Sequence, residues 1–214
     1  MDTQLAQQKH FPVGFTAASL RPELARIVAE AYLASGDWEQ AKQLVLTQNL
    51  LQSRSPASAV RMERELRQRL QTLTPAQLEL LAHAPADDRR AMAWLAALKY
   101  IPLIYALAAD VLRSKIEQLD PVLRPSDYEA FFEGQIARQS ELARLAPSTR
   151  NKIQQVIVLM LREAGIVSGL NQDKGLNLSR PMVTPDAWAT IVDDHPCWLA
   201  GFLVPDDEIK SLTR

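Results

Sequence analysis

Apolar residues recur three and four positions apart along most of this chain, and each such run predicts a helix. The first begins near Pro22, whose fixed φ suits an early helical position, and carries Leu24, Ile27, Val28, Ala31 and Tyr32 on one stripe. Ser35–Gly36 stops it. Asp37 then caps a second helix, with Gln40 at capping-box spacing, that runs to about Gln48. After "NLLQSRS", Ser55 caps and Pro56 opens a third helix reaching about Thr72. Thr74–Pro75 repeats the start signal for a shorter helix ending near Ala84.

An apolar helix follows from about Asp87, bent or broken at Pro102, and continues to about Leu119. "LDPVLRPSD" predicts a turn, with Ser126 capping the next helix, and "LAPSTRNK" starts another that runs through Glu163 and closes at Gly165. "GIVSGLNQDKGLNLSRP" loses the helical period and fits a small hairpin that pairs Ile166–Val167 near Leu176–Leu178. A short helix at 186–192 and a segment from Trp198 to Leu203 finish the chain. The expected fold class is all-α, mainly helical with room for one short β-hairpin near 166–178, in a compact helical bundle of two lobes. Residues 1–15 read as a lead-in, 16–84 as an N-terminal helical lobe and 85–214 as a C-terminal helical lobe, with one continuous domain as the alternative. "APADD" marks the boundary.

The run "AMAWLAALKYIPLIYALAADVL", residues 91–112, holds only Lys99 and Asp110 as charges and is long enough for a bilayer. A buried central helix fits it better. Seven of its first nineteen residues are Ala, a mid-span lysine costs roughly 2.5–3.5 kcal/mol on insertion scales, and Pro102 interrupts the helix. Composition agrees: 47% hydrophobic and 23% charged residues with seven Gly describe a globular, helix-rich chain. Cys197 is the only cysteine, so no intrachain disulfide forms, and "MDTQLAQQKHFPVGF" is too polar for a signal peptide. The expected location is the cytoplasm, with no membrane contact.

No constellation for catalysis stands out. His10, His83 and His195 are far apart, "HPC" at 195–197 offers two of the four ligands a structural zinc needs, and no phosphate loop, nucleophile elbow or zincin helix is present. Cys197 beside Trp198 and Leu199 reads as a packing cysteine. No cofactor, metal or enzymatic activity is expected.

The net charge is only −1, so interest moves to where the charges lie. In the third helix Ala59, Met62, Leu66, Leu70 and Leu73 share one face, while Arg61, Arg64, Gln68 and Gln71 centre on the opposite one, flanked by Arg67 and Glu65. A solvated face is the ordinary explanation. Against it, this face uses Arg and Gln rather than mixed Lys and Glu, side chains that suit phosphate, guanine and adenine. Arg54, Ser55 and Ser58 sit at its start, where free backbone N–H groups of Ala57 and Ser58 would favour a phosphate. Helix, connection and helix is also the order of a helix-turn-helix unit, though the link is long. A second candidate is Ser148, Thr149, Arg150 and Lys152, a basic first turn that opposes the helix dipole. The helix behind it, with Ile153, Val156, Ile157, Met160 and Leu161 buried, followed by a hairpin, resembles half of a winged-helix domain.

Three stretches also resemble the BrxA family: residues 15–70, which include "GDW" and "NLLQSRSP", then "LAALKYIPLIYALAADVL", then "STRNKIQQVIVLMLREAGIV". The resemblance covers roughly residues 14–204. It implies a small accessory component of a bacteriophage exclusion (BREX) system, working alongside a methyltransferase, an ATPase and a phosphatase-like protein. It also implies a NusB-like helical fold with a nucleic-acid-binding role, and brings no catalytic residues. The expectation is a non-enzymatic protein that binds nucleic acid, DNA ahead of RNA, because a system that marks host DNA by methylation must engage duplex. The alternatives are an adaptor whose arginine face docks on an acidic partner in the defence complex, and a NusB-like RNA binder.

Overall fold

In the computed structural model, residues 19–169 and 175–212 are described. The predicted lead-in at 1–15 and the centre of the predicted hairpin lie outside them. Helix α1 (Pro22–Ser35) ends at Gly36, whose φ of 68° is the left-handed conformation glycine adopts at little cost, and whose N–H donates to the Tyr32 carbonyl. Asp37 caps α2 (Trp38–Thr47) by accepting from the Gln40 N–H at 2.8 Å. Ser55 caps α3 (Pro56–Leu70), and Thr74 with Gln77 forms a complete capping box on α4 (Pro75–His83). The three start signals in the sequence are therefore real caps. Helix α1 packs on α2, α3 and α4, α2 packs on α3, and α1, α3 and α4 pack onto α5 (Ala86–Tyr100).

Helix α5 is buried nearly all round, from Ala91 to Leu98. Ile101 breaks it, Pro102 restarts it as α6 (Pro102–Ala106), and a π-helical segment (Leu107–Leu112) leads into α7 (Arg113–Glu117). The two halves are bent by 108°, and among the described residues no single helix is long and apolar enough to cross a membrane. Lys99 is accommodated inside: its ammonium lies 2.7 Å from Asp194 and donates to Gln77 Oε1 and to the Thr72 carbonyl. Asp194 closes α11 (Pro185–Asp194), which precedes a 3-10 turn (Pro196–Phe202) and α12 (Asp206–Ser211).

Between α7 and α11 lies a small unit with its own topology. Strand β1 (Val122–Leu123) leads into α8 (Pro125–Arg138), the short α9 (Ser140–Ala143), α10 (Pro147–Glu163), then β2 (Val167–Ser168) and β3 (Leu176–Leu178). The hairpin is where the sequence puts it: Val167 pairs with Leu178 and Ser168 with Asn177, antiparallel. Strand β1, unforeseen, pairs antiparallel with the other edge of β3, giving the order β1-β3-β2. Helix, strand, helix, helix, strand, strand in this sheet order is the arrangement of a winged helix-turn-helix. The cap of α8 also differs from expectation. Helix α8 starts at Pro125, one residue before Ser126, and the Asp127 carboxylate accepts the Arg124 N–H at 2.7 Å instead. One buried apolar cluster runs from Leu20 to Val204 and joins all these elements.

Candidate nucleic-acid interface

Helix α3 packs on α1, α2 and α5 over a broad arc. Ala59, Leu66, Leu70 and the following Leu73 are buried as predicted, and Met62 is half-buried. Three charged side chains are buried with them: Glu63 and Arg69 at the two edges of the apolar stripe and Glu65 on its flank. Arg67 donates to Glu63 at 2.7 Å, and Arg69, with 2% of its surface exposed, donates to the Ser19 carbonyl at 2.7 Å. Burial lowers the Arg69 pKa to about 10, opposed by Glu65, and burial raises the Glu65 carboxyl.

This inward turn of the acids reshapes the outer face. Arg54, Arg61 and Arg64 are exposed, and among the described residues none of the three is in an ion pair. The two glutamates that offset them in the sequence are hidden, so α3 shows solvent only positive charge. Its predicted members separate into two groups. Arg67 is held by Glu63, and Gln68 accepts from the Tyr100 hydroxyl at 3.0 Å, so both brace the core. The start of α3 is also less open than predicted. Ser58 N–H donates to the Ser55 hydroxyl at 3.3 Å, so the cap satisfies that donor.

The second predicted group sits on α10 and is likewise divided. Ser148 and Lys152 are exposed and Thr149 is half-buried at the helix start, which has no side-chain cap. Arg150 turns back into the protein. Its Nε and Nη2 donate to the carbonyls of Leu145 and Ala143, at 3.2 and 3.0 Å, and Nη1 lies 3.8 Å from Glu133. The basic first turn thus has an internal explanation: Arg150 satisfies carbonyls at the end of α9. Residues Asn151, Gln155 and Arg162, absent from the sequence-based candidates, are exposed on α10 beside Ser148 and Lys152. Their positions, three, seven and fourteen residues after Ser148 on one helical face, were the available signal. Ile153, Val156, Ile157, Met160 and Leu161 are buried as expected.

In this topology α10 holds the place of the second helix of a helix-turn-helix, with β2 and β3 as the wing. The two candidate helices join at their far ends. Ser19, which receives Arg69 of α3, donates through its hydroxyl to Glu163 of α10 at 2.8 Å, and Leu20 N–H donates to the same carboxylate at 2.6 Å. Elsewhere, burial and then Asp194 push the Cys197 thiol up to about 11, which favours its protonated form. His195 Nδ1 accepts the Cys197 N–H.

Comparison with known proteins finds a family and a shared fold. The sequence profile of the BrxA family matches residues 9–194. A BREX protein BrxA from Escherichia coli O9:H4 (strain HS) is 25% identical over 167 residues, covering 78% of this chain and 77% of the relative. The BREX protein BrxA of Paramagnetospirillum magneticum (strain ATCC 700264 / AMB-1) is 25% identical over 150 residues, 70% of this chain and 75% of that one. A crystal structure of an uncharacterized protein from Magnetospirillum magneticum shares the fold, with a TM-score of 0.78 at 18% identity over 90% of this chain and 97% of the other.

Proposed function

The chain belongs to the BrxA family, and on that premise we propose that it is a non-catalytic component of a BREX phage-defence system that binds duplex DNA. The observation that carries this reading is the winged helix-turn-helix order from α7 to β3. In such units the second helix of the pair enters the major groove, which is wide enough for it in B-DNA and too narrow in A-form RNA. The exposed side chains of α10 are of the right chemistry for that groove. Ser148, Asn151 and Gln155 offer hydrogen bonds, while Lys152 and Arg162 offer phosphate contacts. Arg54, Arg61 and Arg64 of α3 supply a second cationic surface.

The test is a titration on duplex DNA and on an RNA hairpin across a range of salt. Each phosphate contact contributes about 0.9 to the log–log salt slope on duplex DNA. Lys152→Ala is expected to flatten that slope by about one contact, and Arg61→Ala with Arg64→Ala by about two. Absence of salt-dependent duplex binding refutes the function, and an unchanged slope in the α3 variant removes α3 from the interface.

A second reading has one observation in its favour. Val60, with 46% of its surface exposed, lies beside Arg61 and one turn from Arg64, and an apolar residue next to arginines fits a protein partner with an acidic surface. Capture of other BREX proteins, such as the methyltransferase, after nuclease treatment, by a chain that binds no nucleic acid, would favour that adaptor role.

A further inference from the structure

Helix α10 presents a narrow choice of side chains to solvent. Its apolar stripe, Ile153, Val156, Ile157, Met160 and Leu161, is buried. At about 100° per residue, the direction opposite that stripe passes within about 30° of Asn151 and Gln155, and about 70° from Lys152. Both amides are exposed, and no hydrogen bond within the described residues takes up either side chain. Other amides are committed: Gln68 accepts from Tyr100, and Gln77 donates to the Thr190 carbonyl at 3.0 Å. Arginine, the usual partner of guanine, is missing from this face in the first half of the helix. Arg150 is turned inward onto the carbonyls of Leu145 and Ala143. Arg162 lies about 10 Å beyond Gln155, in the last turn. The one carboxylate of α10, Glu163, is held by Ser19 and Leu20.

That inventory narrows the bases that fit. In a helix-turn-helix the start of the second helix meets base edges. Asparagine and glutamine pair bidentately with adenine N6 and N7, arginine or lysine with guanine, and carboxylates with cytosine. Lys152 lies on the flank of the face, and Arg144 is exposed in the turn before the helix, so cationic charge suited to phosphates borders the two amides. Leu159, 45% exposed and one turn past Gln155, offers an apolar contact for the thymine methyl, a group that a G·C pair lacks. We propose that α10 reads adenine in the major groove through Asn151 and Gln155, which makes this chain selective for A·T pairs at two nearby positions. The two residues lie about 6 Å apart along the helix, so the adenines fall one or two base-pair steps of about 3.4 Å apart. The inference rests on the duplex-binding reading and adds to it which bases are chosen.

The test is selection by the full chain from a pool of DNA duplexes with a random core about two turns long, read by sequencing. Adenine should be enriched about ten-fold at two positions, the discrimination of one bidentate pair at each. Asn151→Ala should relax one position and Gln155→Ala the other. Gln155→Arg should change the preferred base at its position from adenine to guanine. Lys152→Ala should weaken all sequences alike. These side chains are exposed, so each variant should keep the urea midpoint of the parent. Inosine·cytosine pairs carry the major-groove pattern of G·C on the minor-groove pattern of A·T. Placed at the two selected positions, they should weaken binding about ten-fold each. Binding that tolerates inosine·cytosine would assign the preference to the minor groove or to duplex shape and overturn the inference. Salt-dependent binding with no base enriched, with guanine enriched, or with an adenine preference that survives both alanine variants overturns it too, and leaves duplex binding standing. Absence of duplex binding ends both readings.

Discussion

Lys99→Met removes a cation from the middle of the most apolar run in the protein, and by hydropathy alone it should stabilise. The structure predicts the reverse. The ammonium lies 2.7 Å from Asp194, donates to Gln77 Oε1 at 2.9 Å and to the Thr72 carbonyl at 3.1 Å, and sits 5.9 Å from the centre of the Trp198 ring. Its side chain is 7% exposed and that of Asp194 23%. Deleting one partner of a buried ion pair costs about 3–5 kcal/mol, because the other charge is left uncompensated. Asp194 retains some water, which places the loss near the lower figure, about 3 kcal/mol. For a domain of this size that is roughly 6–12 °C in Tm. Methionine fills the volume of the lysine stem, so the loss reports the charge and its hydrogen bonds. Urea unfolding of the parent, Lys99→Met, Asp194→Asn and the double variant completes the cycle. The double variant should be more stable than Lys99→Met alone, with a coupling of about 1–3 kcal/mol. A Lys99→Met protein within about 0.5 kcal/mol of the parent, or purely additive singles, refutes the argument.

Two further perturbations follow from the geometry. Gly201 is buried with its carbonyl accepting Trp94 Nε1 at 3.0 Å, and a Cβ there would collide with Leu98, itself fully buried. Gly201→Ala should therefore cost about 1–3 kcal/mol by urea unfolding, and Leu98→Ala should relieve part of it; a neutral Gly201→Ala would show that Leu98 has room to move. Asp120 accepts from Arg124 and Lys115, which hold its pKa down at about 2 against 3.8 in an unfolded chain. A lowered acid favours the folded state above pH 3.8 and loses that contribution as pH falls toward about 2. Asp120→Asn should flatten the urea midpoint over that window, and parallel parent and variant profiles would refute the assignment.

The caps and apolar stripes were legible because they are local: Asp37, Ser55 and Thr74 each act within three residues of themselves. The hairpin was legible too, since Gly165, with φ of 78°, ends α10 where the helical period stops. Strand β1 was not. Two residues carry no alternation, and Val122–Leu123 become a strand only because β3 pairs with them from more than fifty positions away. The candidate site was half-legible for the same reason. The helical wheel of α3 puts Arg61 and Arg64 outward and Arg67 on the flank, but it does not say that Arg67 is drawn to a buried Glu63, that Arg69 meets Ser19, or that Arg150 caps carbonyls of a helix the sequence barely announces. Local spacing gives the face of a helix. It does not say which charges on that face find a partner inside.

That distinction bears most on how the two candidate helices are joined. Arg69 is in the last turn of α3 and Glu163 in the last turn of α10, and Ser19 lies between them with its carbonyl bound to one and its hydroxyl to the other. All three groups are withdrawn from solvent to differing degrees, and leaving a charged member of such a network unpaired costs more than a surface pair is worth. The helices are therefore held as a pair at those ends. Arg61 lies about 12 Å along α3 from Arg69, and Lys152 about 16 Å along α10 from Glu163, at 1.5 Å per residue. Ser19 fixes the ends from which both runs are measured. The relative placement of the two cationic sets is thus set by Ser19 and its two charged partners rather than by a flexible linker.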